Sequence, residues 1–184
     1  MLTIDLSRFP ELATARLSLR EIVRSDAREL LALRSDPKVM EYIGRPRATS
    51  VTEMKELVST YHDGRMNNAS VAWAIAQNGS EKLIGTIGFW RMKPEHFRAE
   101  VGYLLAVEHW GKGFMVEAMN AVLRFGFEGM GLHSVEAVTE PANAASRRVL
   151  EKCAFVQEGY FKESWFYDGK FFDSVVYSRL APKK

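Results

Sequence analysis

Apolar and polar positions alternate over residues 16–22 (RLSLREI), the period-two signature of a half-buried strand. Ser25 and Asp26 precede an apolar stripe at Leu30, Leu31 and Leu33, which predicts a helix that Asp36-Pro37 interrupts. Residues 1–15 read as a lead-in, and residues 40–48, with Gly44 and Pro46, as a loop. Ser50 and Glu53 have capping-box spacing, so a helix is expected behind them to about residue 66. Residues 70–77 (SVAWAIAQ) then read as a strand, Asn78-Gly79 as a tight turn and residues 82–90 as the antiparallel partner. Gly85 and Gly88 on that partner leave room for close packing. Residues 97–107 form a fourth predicted strand. A long amphipathic helix follows from residue 113 to about 130, ended by Gly129 or Gly131. Residues 134–139 predict a fifth strand and residues 143–152 a short helix. Residues 155–160 and 170–180 predict two last strands, with Asp168-Gly169 as a hairpin turn before the second. The expectation is a mixed α/β layer fold without repeats or linkers, a single domain over residues 1–184.

Composition narrows the function classes only a little. The chain has 184 residues, 47% hydrophobic and 26% charged, ordinary values for a globular domain with a substantial core. A net charge of +2 is too small to argue for nucleic acid. No apolar run approaches a membrane span, and the N-terminus lacks a leader pattern. The lone cysteine, Cys153, excludes an internal disulfide and fits a reducing compartment, so a cytoplasmic soluble protein is expected. His62, His96, His109 and His133 are scattered without metal-ligand spacing, so no metal is expected.

The run EVGYLLAVEHWGKGFMVE, residues 100–117, carries the chemistry. A strand ends in Gly111-Lys112-Gly113 and an amphipathic helix begins at once. Free backbone N–H groups at a helix N-terminus, helped by the helix dipole, bind phosphate. A phosphate-bearing cofactor at a strand–loop–helix junction is therefore expected. Its contacts would come from Leu105, Ala106 and Val107 on the strand end and from Trp110, Gly111, Lys112, Gly113, Phe114 and Met115 on the loop and first turn.

Four segments together resemble the GNAT superfamily of acyl-CoA-dependent N-acyltransferases, within it the RimJ/RimL-type group. They are Ala99-Glu100-Val101-Gly102-Tyr103; Trp110-Gly111-Lys112-Gly113 followed by Glu117-Ala118; Asn143 through Lys152 (NAASRRVLEK); and Phe155 with Glu158-Gly159. The resemblance covers roughly residues 14–180. It implies a central mixed, mostly antiparallel sheet of about seven strands flanked by about four helices, and acetyl-CoA as co-substrate. Met115 stands where a small residue is usual, and Ala154 where relatives carry Gly. The resemblance also implies roles. Glu100 corresponds to a general base acting through water, and Ser146 to a group that stabilises the leaving thiolate. Asn143 corresponds to a ligand of pantetheine. The tyrosine that many relatives carry seven residues after Asn143 is replaced by Leu150.

Acyl transfer to an amine requires deprotonation of the amine, donors for the thioester oxygen and stabilisation of the departing sulfur. Each candidate also has a plainer reading. Glu100 could be a salt-bridged strand residue, Ser146 and Asn143 could only cap a helix, and Lys112 could be a solvated loop cation. His96 is a second candidate base. Arg147 and Arg148 could meet a CoA phosphate or simply cover a helix surface. Two registers remain open for the fourth predicted strand: either Tyr103 and Leu105 or Leu104 and Ala106 aim their backbone groups at pantetheine. Two functions follow: transfer of an acetyl group to a primary amine, either a peptide N-terminus or a small molecule, or a non-catalytic acyl-CoA-binding module. A homodimer is left open.

Overall fold

The computed structural model describes residues 2–183, so the two end residues of the expected domain lie outside the described residues. One eight-stranded sheet organises the chain. Its strands are β1 (Leu12–Ala13), β2 (Leu17–Glu21), β3 (Val71–Gln77), β4 (Gly85–Lys93), β5 (Arg98–Leu105), β6 (Ser134–Thr139), β7 (Val156–Tyr167) and β8 (Lys170–Leu180). The spatial order is β1-β2-β3-β4-β5-β6-β8-β7. Every neighbouring pair is antiparallel except β5 and β6. The helices are α1 (Ala27–Ser35), α2 (Pro37–Met40), α3 (Val51–Met66), α4 (Phe114–Arg124) and α5 (Ala144–Lys152).

Two counts differ from the sequence expectation of about seven strands and four helices. The extra strand β1 is two residues long, too short to show a period, and exists because Leu12 and Ala13 pair with Leu19 and Ser18. The extra helix α2 is a single turn started by Pro37, with the Asp36 carboxylate accepting from the Lys38 and Val39 N–H groups. β7 also runs to Tyr167, well past the expected end at residue 160, because β8 supplies a pairing partner along its length.

The central strands are covered on both faces, while β7 and the start of β8 stay largely exposed. On β3 the large side chains Val71, Trp73 and Ile75 enter a core shared with α4, Leu150 of α5 and the N-terminal segment. The intervening Ala72 and Ala74 enter a second core with α1, α2 and α3. Small residues on that second face let the helices lie close to the sheet. Gly88 of β4 extends the same surface, since a Cβ there would lie 2.6 Å from the Val71 carbonyl oxygen. Ser50 caps α3 by accepting from the Glu53 N–H at 3.2 Å, while the Glu53 carboxylate reaches back to the Thr49 N–H at 3.0 Å. α4 gives way to a π-helical turn (Phe125–Gly129), and the chain leaves it through Gly131 at φ 74°.

One irregularity positions everything that follows. β5 and β6 pair in parallel over only Arg98–Ser134, Ala99–Val135 and Glu100–Glu136. Beyond Glu100 the strands part: β5 stays with β4 up to Leu105, and β6 stays with β8 up to Thr139. A wedge opens in the middle of the sheet. Core replacement far from the wedge should test the packing alone. Met119, fully buried on α4, is expected to cost about 2–5 kcal/mol when changed to Ala. Chemical denaturation would read this as a lower midpoint at unchanged slope.

Candidate active site

The wedge leaves backbone groups of β5 without a strand partner. The Ala106 N–H bonds to the Ile84 carbonyl at 2.9 Å, which fixes the alternation of the β4–β5 ladder. Leu104, Gly102 and Glu100 therefore aim their main-chain groups at β4, and Leu105 and Tyr103 aim theirs into the wedge. Of the two registers open at the sequence level, the fold takes the one with Tyr103 and Leu105. Ala106 offers little to a ligand, because its N–H meets Ile84 and its carbonyl accepts from the His109 N–H at 2.9 Å. The Leu105 carbonyl accepts from the Trp110 indole at 2.7 Å, so Trp110 pins the end of the strand to the loop.

The loop after β5 makes a 3-10 turn (Val107–His109) and passes through Gly111 at φ 72° and Gly113 at φ 79°. Only glycine reaches such angles without strain. Gly113 is the N-cap of α4, so the N–H groups of the helix's first turn have no partner within the helix. The Met115 side chain is buried in the core and turned away from these N–H groups, and Phe114 is buried beside it. Lys112 is exposed at the mouth. This is a concave set of donors with a cation at its rim, suited to a pyrophosphate.

A second network holds that loop in place. Glu117, in the first turn of α4, accepts from Thr14 Oγ1 at 2.6 Å, the Arg16 N–H at 2.9 Å and Arg16 Nε at 2.6 Å. Arg16 also donates to the Lys112 carbonyl at 3.0 Å and lies over the Phe114 ring. Partial burial pushes the Glu117 carboxyl up, but the bonds from Thr14 and Arg16 outweigh it and hold the group below the usual carboxylate range. His109, packed against Phe114, is pushed below the usual imidazole range mainly by burial. Lys112 and Lys82 add to that push, and Glu108 opposes it. The N-terminal strands and the loop are thus one electrostatic unit, a role sequence reading did not assign to Arg16.

Glu100 stands where the strand pairing ends. Its carboxylate accepts from Arg91 Nη1 at 2.9 Å. Arg91 sits at φ 44°, where the β4–β5 register shifts between Trp90 and Lys93. Alternation along β5 puts Glu100 on the face of Leu104, toward α1 and α3. Tyr103 lies on the opposite face, against the core that includes α4 and Leu150. Its hydroxyl meets Ser146 Oγ at 2.8 Å across the wedge. Asn143 caps α5, its Oδ1 accepting from the Ser146 N–H at 2.9 Å. Glu100 and Ser146 therefore flank the wedge from opposite faces and do not touch.

Other candidates fall outside this arrangement. Arg147 bonds the Tyr177 hydroxyl and the Pro141 carbonyl, and Arg148 bonds the Ala144 carbonyl. His96 is exposed on the β4–β5 hairpin beside Glu95. Cys153 is buried, its thiol pushed up to about 11 chiefly by burial. Among the described residues no group of three or more His, Cys, Asp or Glu is placed to hold a metal ion, and no helix is long and apolar enough to cross a membrane.

A cavity of about 320 Å³ lies between the loop after α2 and the β7–β8 hairpin. Trp165, Tyr167 and Phe172 wall it, Trp165 stacked on Phe172 with ring centroids 5.0 Å apart. A Cβ at Gly44 would lie 2.0 Å from the Trp165 ring, so the hairpin and the loop meet at that glycine. Charges of both signs line it: Glu41, Glu140 and Asp168, against Arg45, Arg47 and Lys170. Burial, and then the nearby Glu41, push the Glu140 carboxyl above the usual range.

The chain matches the acetyltransferase (GNAT) domain over residues 16–156. It is 35% identical to an uncharacterised N-acetyltransferase, YoaA, of Bacillus subtilis, over 96% of this chain and 99% of that one. The structure matches spermidine N-acetyltransferase from Vibrio cholerae, solved with CoA and spermine, at a TM-score of 0.79 and 28% identity, covering 91% of this chain and 96% of that one. The fold is also that of RimL, a ribosomal α-N-protein acetyltransferase in complex with coenzyme A, at a TM-score of 0.86 and 20% identity, covering 94% and 98% of the two chains.

Two outcomes are expected from the loop. Gly113→Glu forces a side chain onto a left-handed backbone and adds a negative charge at the donors. Acetyl-CoA binding, followed by calorimetry, should be lost, and normal affinity would remove the loop from the site. Glu117 stabilises the fold above its unfolded pKa because its folded pKa is depressed, and that contribution disappears as pH falls through the folded value. Glu117→Gln should therefore lower Tm near pH 7 and flatten its fall on acidification, relative to the parent protein.

Proposed function

The chain belongs to the GNAT acetyltransferase family, and on that premise we propose that it moves an acetyl group from acetyl-CoA to a primary amine by direct attack, with Glu100 as general base. The observation that carries this reading is the wedge, which has a carboxylate at its apex on one face and a serine hydroxyl on the other. The phosphate end of acetyl-CoA fits the N–H groups of Gly111, Lys112, Gly113, Phe114 and Met115. Its pantetheine fits the main-chain groups of Tyr103, the Leu105 N–H and the side-chain amide of Asn143. Val107 and Trp110 shape the corner between these two stretches.

Chemistry follows from position. A free amine is largely protonated at neutral pH, so a base must take a proton before the nitrogen attacks. Glu100 accepts that proton, directly or through a water, and Arg91 holds the carboxylate in place. The nitrogen–carbon bond forms and the carbon–sulfur bond breaks. The electron pair leaves on sulfur, the Ser146 hydroxyl donates a hydrogen bond to the thiolate, and the surplus proton on the new amide nitrogen is lost through water to the thiolate, giving free CoA thiol.

The aromatic cavity is the proposed acceptor site, since it opens between the loop after α2 and the β7–β8 hairpin and is lined by Glu140, the residue that follows β6 out of the wedge. Three carboxylates and three cations line it in balance, so the acceptor class proposed is a primary amine of either kind, a peptide N-terminus or a small molecule. The whole of residues 1–184 is read as one such domain.

The test is thiol release from acetyl-CoA against short peptides, polyamines, amino acids and aminoglycosides. Turnover with one class establishes the transferase and its acceptor. Tight acetyl-CoA binding with no turnover on any amine, peptides and proteins included, would favour a non-catalytic acyl-CoA-binding module. Glu100→Gln should lower kcat while leaving acetyl-CoA affinity within about twofold, and its residual rate should climb with pH as free amine accumulates. Ser146→Ala should lower kcat by a factor on the order of 10 to 1000.

A further inference from the structure

Ser146 is not alone in the wedge. Its hydroxyl oxygen lies 2.8 Å from the Tyr103 hydroxyl, which also lies 3.3 Å from the Ser146 carbonyl oxygen. The two side chains come from different walls of the wedge, Tyr103 from β5 and Ser146 from the first turn of α5. We propose that Tyr103 is a positioning residue for acyl transfer, donating its hydroxyl hydrogen to Ser146 Oγ so that the serine's own hydrogen points into the wedge at the departing sulfur. This rests on the reading of Ser146 as the group that meets the thiolate.

The reasoning is a count of hydrogens. A serine hydroxyl has one hydrogen and two lone pairs, and a phenol has one hydrogen. Without Tyr103, nothing on β5 would fix the rotation of the Ser146 hydroxyl, and its hydrogen could turn away from the wedge. With the phenol donating to it, one lone pair is occupied and the serine hydrogen is directed elsewhere. Either hydroxyl can donate across the 2.8 Å contact, and the phenol can also donate to the Ser146 carbonyl at 3.3 Å; only the arrangement in which the phenol donates to Oγ leaves the serine hydrogen free for the sulfur. Asn143 fixes the other side of Ser146 by accepting its N–H.

Burial favours the same direction. It pushes the Tyr103 phenol well above its ordinary range, outweighing the opposite effect of Ser146, so the phenol stays protonated as a donor. A phenol held so high does not give up its proton to a thiolate. Tyr103 therefore acts through a hydrogen bond, and no proton leaves it in the step. Two hydroxyls in series polarise each other, which strengthens the bond that Ser146 offers to sulfur.

A double-mutant cycle tests this, read on purified full-length protein by steady-state thiol release with the amine that the panel identifies. Tyr103→Phe keeps the ring and removes only the hydroxyl. It should lower kcat about tenfold, leave KM for acetyl-CoA within about twofold and leave Tm nearly unchanged. In a Ser146→Ala background the same change should alter kcat by less than about twofold, because the group it positions is gone. Equal effects of Tyr103→Phe in both backgrounds would overturn the proposal, as would a wild-type kcat for Tyr103→Phe beside a slow Ser146→Ala. A wild-type rate for Ser146→Ala would instead remove the role of Ser146 itself, and the inference with it. Should Tyr103→Phe lower Tm sharply, Tyr103→Met provides the same loss of hydroxyl with a flexible side chain, and the same cycle decides.

Discussion

Everything functional in this fold depends on three residue pairs of parallel strand and the point at which they stop. Arg98, Ala99 and Glu100 hold β5 against β6, and beyond Glu100 the pairing ends. Backbone N–H and C=O groups inside a protein need partners. A strand that parts from its neighbour in mid-sheet therefore creates a row of unmet donors and acceptors. Main-chain groups of Tyr103 and the Leu105 N–H form that row, the Leu105 carbonyl being met by Trp110, and a linear amide-bearing ligand is the complement to it. The central antiparallel strands, covered on both faces, are the rigid frame that keeps the wedge open.

Three devices converge on the wedge, each from a different part of the chain. The glycine loop and α4 bring unpaired N–H groups to its outer end, and Arg16 with Glu117 ties that loop to the N-terminal strands. A bulge in β4 swings Arg91 onto the Glu100 carboxylate. The first turn of α5 brings Ser146 to Tyr103. Glu100 and Ser146 lie far apart along the chain and on opposite faces of β5. A ligand between them would meet a carboxylate on one side and a hydroxyl on the other.

Much of this was legible in the linear chain. The Gly111-Lys112-Gly113 junction was legible as a glycine turn into a helix N-terminus because strand, glycines and amphipathic helix follow one another without a gap. Local pattern also located β3, α3, α4 and β8 to within a few residues. The short strand β1 and the extension of β7 to Tyr167 escaped, since both exist through cross-strand pairing and have no clear period of their own. Tyr103 escaped for a related reason. On the strand it reads as one more half-buried aromatic, and only the approach of α5 turns its hydroxyl into a partner for Ser146. Arg16 likewise reads as a strand-initial cation until Glu117 and the Lys112 carbonyl are seen around it.

The division is physical. Sequence by itself determined what is encoded in neighbouring residues: helix caps, turn glycines, period-two strands, the glycine loop at the start of α4 and, through those motifs in order, the family. Tertiary structure alone decided the register of β5, because alternation has two phases and only the bond from Ala106 to Ile84 selects one. It alone decided which charges share the aromatic cavity, since Glu41, Glu140 and Lys170 are brought together by folding and not by spacing. It alone made the wedge, because no residue in β5 or β6 states that the two strands will part. That parting is the outcome of β6 following β8 while β5 follows β4.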